Sequence, residues 1–190
     1  MPTATLPRTT YPVNLWDLTS YATDDDETKR SWYCLQSKPN QEKKAASALE
    51  SARIPHFLPL TLSITRRPSS NQVTRSIVPL FTGYLFAWMG NVERLQSMQT
   101  RRLTHVIPVP DEDRLVSDLR GIAALCESNE SLFPTRTIPE GAMFRVIDGP
   151  FAGQEGRVIQ RKNKRLFVAA IHFLGQSVEV EFDDWSVERI

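Results

Sequence analysis

The sequence predicts an α+β fold, namely a ferredoxin-like sandwich followed by a small five-stranded β-barrel. Between Ser31 and Cys126, segments of strand and helix character follow in the order strand, helix, strands, helix, strand, which is typical of a ferredoxin-like sandwich. Five of the eight glycines then lie between Gly141 and Gly175, interleaved with short apolar segments. A barrel is predicted there because closure lets a chain of about 50 residues protect its strand edges.

Composition and charge limit the class of protein. The chain has 190 residues, of which 41% are hydrophobic, and this predicts one or two small domains. No apolar run approaches the roughly 20 residues of a membrane helix, and the N-terminus lacks a signal pattern, so we expect a cytoplasmic protein without a membrane partner. Residues 31–126 carry 12 Lys and Arg against 7 Asp and Glu. This excess suits a nucleic-acid partner, but it is also common in proteins that bind none.

Two polar segments set the predicted domain boundaries. Residues 1–30 combine three prolines with the acidic run Asp24–Glu27 and lack a sustained apolar period, so they are predicted to be a mobile extension. Residues 127–139 are polar, contain two prolines and are predicted to be a linker. The first domain is therefore predicted at 31–126 and the second at 140–190.

Within the first domain, prolines, caps and apolar spacing place the elements. A strand at 32–35 precedes a helix capped by Asn40, and Pro55 and Pro59 interrupt a strand at 54–62. Residues 66–71 look like a hairpin tip that is either a basic finger or a solvated loop, with a return strand at 73–78. A short helix follows Asn91, then a strand at 106–109. The closing helix has four apolar residues on one face: Leu115, Leu119, Ile122 and Cys126.

The stretch Pro79–Trp88 is the most apolar and aromatic of the chain, and its β-branched and aromatic content predicts a buried strand. Alternation places Tyr84, Phe86 and Trp88 on one face. That face either packs under a helix or docks a partner. In the second domain, apolar segments predict strands at 143–147, 156–160, 166–171 and 178–182.

Residue patterns for catalysis or metal binding are not found in the sequence. His56, His105 and His172 are the three histidines, and none adjoins a Cys or a carboxylate at metal-ligand spacing. No phosphate-binding glycine loop precedes a helix. Cys34 and Cys126 lie far apart in apolar segments and are expected to be small core residues. We therefore expect no catalytic residues, no metal and no cofactor.

Three motifs resemble those of NusG-family transcription elongation factors, and together they cover nearly everything after residue 30. Trp32-Tyr33-x-Leu35-x-x-Lys38-Pro39-x-x-Glu42-x-x-Ala45 resembles the opening of the family's N-terminal (NGN) domain. Pro79-Leu80-Phe81-x-Gly83-Tyr84-Leu85-Phe86 resembles its Phe-Pro-Gly-Tyr signature, with Thr82 in place of the usual Pro. Asp148-Gly149-Pro150-Phe151-x-Gly153-x-x-Gly156 resembles the KOW motif. Lys38-Pro39-x-x-Glu42 with Thr100-Arg101 looks closer to the specialised RfaH-like paralogues than to the housekeeping factor.

The resemblance implies a non-enzymatic, monomeric factor that binds elongating RNA polymerase and suppresses pausing and termination. In the family, an apolar patch receives the clamp helices of the largest polymerase subunit. The matching residues here are Tyr33, Phe81, Tyr84 and Phe86.

In the paralogues, a basic face also contacts the non-template DNA strand. The candidates here are Lys38, Lys43, Arg101 and Arg102. The resemblance further implies an SH3-like KOW barrel that binds a small-subunit ribosomal protein or Rho. Phe173 falls where the family places a partner-contacting aromatic residue, although Leu174 is inserted relative to the common pattern.

An RNA-binding KOW protein of the translation machinery is the alternative interpretation. The basic run Arg161–Arg165 would serve such a protein. The same run is also typical of a charged hairpin tip, and acidic residues follow it at Glu179, Glu181, Asp183 and Asp184, which disfavour a tight RNA surface.

Overall fold

Two structural units make up the chain in the computed structural model, which describes residues 9–19, 29–66, 73–127, 132–135, 141–147, 152–161, 164–181 and 187–190. The first unit comprises Met1–Leu60 and Ile77–Glu112. The second comprises Thr61–Ser76 and Asp113–Ile190. Both units contain antiparallel sheets, and helices accompany them, so the predicted mixture of helix and strand is confirmed.

A five-stranded antiparallel sheet, in the order β1-β3-β6-β2-β7, is the centre of the first unit. The elements up to residue 108 are β1 (Thr10–Tyr11), α1 (Leu15–Leu18), β2 (Ser31–Ser37), α2 (Glu42–Ser51), β3 (His56–Phe57), β4 (Leu60–Arg66), β5 (Val73–Pro79), β6 (Tyr84–Met89), α3 (Asn91–Gln99) and β7 (Leu103–Pro108).

One face of this sheet packs against helix α2. Leu35 of β2 and Leu85, Ala87 and Met89 of β6 share a buried cluster with Leu49 and other apolar residues of α2. Small side chains on α2, which begins Glu-Lys-Lys-Ala-Ala, let the helix approach the strands closely. This packing fixes β2 and β6, the two central strands that carry most of the candidate site.

The sequence predicts a mobile extension at 1–30, and the part of it that the structure describes pairs and packs with the first unit. Thr10 and Tyr11 pair with β3, and the Thr9 carbonyl accepts the Leu58 N–H at 2.8 Å. Leu15 is 0% exposed. Two residues of strand and one turn of helix are too short to give a sequence period, although Leu15 itself is fully buried.

A turn interrupts the predicted strand at 79–88. β5 ends at Pro79, and β6 begins only at Tyr84. Gly83 has a φ of +86°, which lies outside the extended range of a regular strand. The break lets β5 pair with β4 while β6 enters the five-stranded sheet.

Prolines divide the segment predicted as one strand at 54–62, as expected, into β3 and the start of β4. The return strand β5 is confirmed. The hairpin tip at 67–71 lies outside the described residues, so the choice between a basic finger and a solvated loop stays open.

The second unit contains a six-stranded antiparallel sheet in the order β13-β9-β10-β11-β12-β8. Its remaining elements are α4 (Glu112–Glu127), β8 (Leu132–Thr135), β9 (Met143–Val146), β10 (Glu155–Arg161), β11 (Lys164–Ile171), a 3-10 helix (His172–Leu174), β12 (Gln176–Glu181) and β13 (Val187–Arg189). The four predicted strands are confirmed. Strand β8 lies inside the segment predicted as a linker.

Closure of this sheet into the predicted five-stranded barrel is not seen among the residues that the structure describes, where β13 and β8 are its two edges. The KOW-like residues 148–151 lie outside those residues. The four apolar side chains predicted on one face of α4 are all buried.

Candidate protein-docking surface and basic corner

Five side chains share one face of the first unit's sheet, and this set is called the aromatic face: Trp32, Phe57, Tyr84, Phe86 and Trp88. Residues directly opposite each other on paired strands point to the same side. The register pairs Trp32 with Trp88, and Phe86 with Phe57 on one side and Cys34 on the other. The predicted alternation along β6 is therefore confirmed.

The N-terminal segment covers one end of the aromatic face. The Trp16 ring lies 5.4 Å from that of Phe57 and 6.1 Å from that of Trp32. Because β6 runs between β3 and β2, Trp16 crosses β6 to reach both rings. Trp32 and Phe57 are buried, so this end offers little surface to a partner.

The other end of the aromatic face is more open and is formed by a row of three residues, here named the Tyr84 row: Tyr84, Gln36 and His105. Gln36 pairs with Tyr84 on β6 and with His105 on β7. The His105 Nδ1–H donates a hydrogen bond of 2.9 Å to Gln36 Oε1. Tyr84 and Gln36 are half-buried and His105 is exposed. An aromatic ring beside an amide and an imidazole suits recognition of a protein surface.

Sequence reasoning missed Gln36 and His105. The signal for Gln36 was available, since alternation along β2 places it on the same side as Cys34. His105 required the register between β2 and β7, which shifts at Gln36 and Ser37 and cannot be read from the sequence.

The four predicted polymerase-binding residues do not form a single exposed patch. Phe86 is 0% exposed and Phe81 is 1% exposed, so both are core residues. Tyr33 is half-buried but pairs with Ala87 and Pro108, and it packs against the cluster beneath α2. Because neighbouring strand residues point to opposite faces, Tyr33 lies on the face opposite Tyr84.

Among the predicted DNA-binding residues, Lys38 and Arg102 meet at one corner of the sheet. The Lys38 N–H donates to the Arg102 carbonyl at 2.9 Å, and the Arg102 guanidinium donates to Gln41 Oε1 at 2.7 Å. Arg101 is exposed beside them, with a φ of +59°. Lys38, Arg101 and Arg102 are here named the basic corner. None of the three makes an ion pair with any residue that the structure describes.

Lys43, the fourth predicted DNA-binding residue, contacts a different part of the first unit. Its Nζ donates to the carbonyl of Ile77, at the base of the β4–β5 hairpin. The ammonium is thus held against the backbone, and the structure does not join it to the basic corner.

The predicted partner-binding residue of the second unit, Phe173, is half-buried in the 3-10 helix. Helix α4 holds this turn, because Asp118 Oδ2 accepts the His172 N–H at 2.8 Å. Gly175 ends the turn with a φ of +62°. Phe173 is therefore presented on a short segment that is fixed at both ends.

Burial shifts the pKa of two titratable side chains in the first unit. Burial raises the pKa of the Cys34 thiol to about 12, so it stays protonated. Burial also lowers the pKa of His56, whose Nδ1–H donates to the Ile54 carbonyl at 2.9 Å. Both cysteines are buried core residues, as predicted.

Two further features are absent from the part of the chain that the structure describes. No group of three or more His, Cys, Asp and Glu side chains there could hold a metal ion. No helix in that part of the chain is long and apolar enough to cross a membrane.

Comparison with known proteins identifies a family. The model of the family described as transcription termination factor nusG matches residues 30–137. Among curated proteins, none matches the chain significantly.

Several solved structures match over most of their length. A structure describing domain interaction in Thermotoga maritima NusG is 21% identical, with a TM-score of 0.45, over 85% of this chain and 98% of that chain. An MjSpt4:Spt5 complex, in conformation A, is 15% identical, with a TM-score of 0.29, over 84% and 97% of the two chains. Because the family match spans more than half of the 190 residues, the chain belongs to the NusG family of transcription elongation factors.

Proposed function

We propose that the protein binds the clamp helices of the largest RNA polymerase subunit and suppresses pausing and termination. The observation that carries this proposal is the Tyr84 row, an accessible aromatic and polar surface at one end of the five-stranded sheet. Tyr84 is the contact residue in this proposal. Phe81 and Phe86 support the turn and the strand from the core, and Tyr33, on the other face, takes no part.

The basic corner is the proposed contact to the non-template DNA strand. Lys38 and Arg101 are exposed cations, and Arg102 is held at a fixed angle by Gln41. Three cations that lack carboxylate partners among the described residues favour phosphate binding, because no internal ion pair must break first. Lys43 is a weaker candidate, since its ammonium already has an acceptor.

The second unit is the proposed recruitment module. We take it to be an SH3-like KOW barrel that follows a ferredoxin-like NGN domain in the sequence, with Phe173 as the contact to a small-subunit ribosomal protein or to Rho. We also propose that the protein is a cytoplasmic monomer and is not an enzyme.

A transcription assay tests the proposal. The purified protein, added to RNA polymerase halted at a pause site, should increase the rate of pause escape and should remain bound to the elongation complex. An isolated clamp-helix fragment, added in excess, should compete for this binding. Co-purification with ribosomes but not with polymerase, at both low and high salt, would contradict the proposal and support the RNA-binding alternative.

A further inference from the structure

We infer that Glu42, the first residue of helix α2, is a positioning residue that fixes the turn presenting Tyr84 for docking. The inference rests on the proposed function and assigns this carboxylate a part in it. Glu42 is only 4% exposed, although it is charged and stands at the start of a surface helix. Its Oε1 accepts the backbone N–H of Gly83 at 2.8 Å.

The turn that Glu42 reaches is a type II β-turn formed by Phe81, Thr82, Gly83 and Tyr84. The Tyr84 N–H donates to the Phe81 carbonyl at 3.1 Å and closes the turn. Gly83, at the third position, has a φ of +86°, which is the value that distinguishes type II from type I. A Cβ on Gly83 would meet no atom within 4 Å, so the backbone conformation and not space requires the glycine here.

The hydrogen bond from Gly83 selects this turn type. Types I and II differ mainly by a rotation of roughly 180° of the central peptide, which here joins Thr82 to Gly83. The Gly83 N–H belongs to that peptide and takes no part in the bond that closes the turn. Held by the Glu42 carboxylate, the peptide keeps its type II orientation.

This orientation sets the position of Tyr84. The Gly83 carbonyl accepts the Ser37 N–H at 2.8 Å, and the next residue begins the pairing of β6 with β2 opposite Gln36. A rotated central peptide would strain the hydrogen bond between the Ser37 N–H and the Gly83 carbonyl, and it would shift Tyr84, the first residue of β6. Glu42 therefore couples helix α2 to the geometry of the Tyr84 row without itself reaching the exposed surface.

Two substitutions separate the hydrogen bond from the charge. Glu42→Gln keeps an oxygen acceptor in the same place and should bind polymerase like the wild type. Glu42→Leu removes the acceptor at similar volume and should weaken binding by about tenfold or more, the size expected for losing a hydrogen bond to a charged group. In an NMR spectrum, the Gly83 amide should shift strongly in the Leu variant and little in the Gln variant.

A third substitution tests the mechanism by rescue. Proline at the second position, followed by the positive-φ glycine at the third, favours a type II turn, and the Thr82 N–H donates no hydrogen bond to any described residue. Thr82→Pro, added to Glu42→Leu, should therefore restore the turn and most of the affinity. If Glu42→Leu fails to fold by itself, the double variant, compared with Thr82→Pro alone, carries the test.

Leu49→Ala is the matched control, because it removes a buried side chain from α2 and leaves the hydrogen bond from Gly83 to Glu42 in place. It should lower the melting temperature and leave polymerase affinity unchanged. A folded Glu42→Leu variant that binds polymerase like the wild type would overturn the inference alone. A wild-type protein that does not bind polymerase would refute the proposed function, and with it the role of Glu42 in docking. The shift of the Gly83 amide would still show whether Glu42 holds the turn.

Discussion

Replacement of Leu15 by alanine measures whether the N-terminal segment belongs to the folded first unit. Leu15 is 0% exposed, and Trp16 beside it stacks on Trp32 and meets Phe57 in a T-shaped contact. Truncation of a fully buried leucine typically costs about 2–5 kcal/mol, from lost apolar burial and from the cavity left behind. Leu15→Ala should therefore lower the free energy of unfolding by about that amount. A mobile tail would give no change.

Urea unfolding followed by tryptophan fluorescence is the assay, since Trp16 and Trp32 report on this contact. Val13 is 68% exposed in the same segment, so Val13→Ala is the matched control and should stay within about 0.5 kcal/mol of the wild type. Equal stability of the Leu15→Ala variant and the wild type would refute the reasoning and return residues 9–19 to the predicted mobile extension.

Three further predictions concern strain, burial and the second unit. Arg101→Gly should keep or raise the free energy of unfolding by up to about 1 kcal/mol, because the left-handed backbone strains a side chain, and should weaken binding to single-stranded DNA. Arg53 also has a left-handed backbone, so Arg53→Gly should relieve the same strain and leave binding to single-stranded DNA intact. Equal DNA affinity and equal salt dependence of the Arg101→Gly and Arg53→Gly variants would show that Arg101 does not contact DNA. Cys34 has a folded pKa of about 12 against 9.0 unperturbed, so the unfolded chain releases the proton first and stability should fall as pH rises from about 9 to 12. The loss of stability between pH 9 and 12 should be absent in Cys34→Ala. Rapid alkylation of the Cys34 thiol in the native protein at pH 8 would contradict its burial and raised pKa. Asp118→Ala removes the acceptor of the His172 N–H and should cost about 1–3 kcal/mol in thermal or urea unfolding of the second unit; an unchanged transition would show that the bond does not hold the turn.

Much of the fold could be predicted from the sequence because its signals are local. Glycines and alternating apolar residues gave the four strands between 143 and 182, and helical spacing gave the buried face of α4. Strand β8 and the N-terminal strand β1 could not be found in this way. Each has four or fewer residues, and each is defined by its pairing with a strand distant in sequence, β12 and β3 respectively.

The candidate site was predicted only in part, because residue type does not settle which face of a sheet a side chain occupies. Tyr33 and Tyr84 both belong to aromatic segments, yet the register sends them to opposite faces. Phe86 was expected at a surface and is fully buried, since its neighbours across the sheet are Cys34 and Phe57. Gln36 and His105 join the site through pairing and hydrogen bonding, which no motif records.

Comparison of Tyr84→Ala with Tyr33→Ala tests the central claim most directly. Both tyrosines are half-buried residues of the same sheet, so truncation of either removes similar area from the fold, but they lie on opposite faces. Binding of each folded variant to RNA polymerase elongation complexes would be measured by titration, beside a thermal melt. We predict that Tyr84→Ala loses about 2 kcal/mol or more of binding free energy, roughly thirtyfold in affinity, and that Tyr33→Ala binds like the wild type. Normal binding by Tyr84→Ala with lost binding by Tyr33→Ala would contradict the account and place the docking surface on the other face of the sheet.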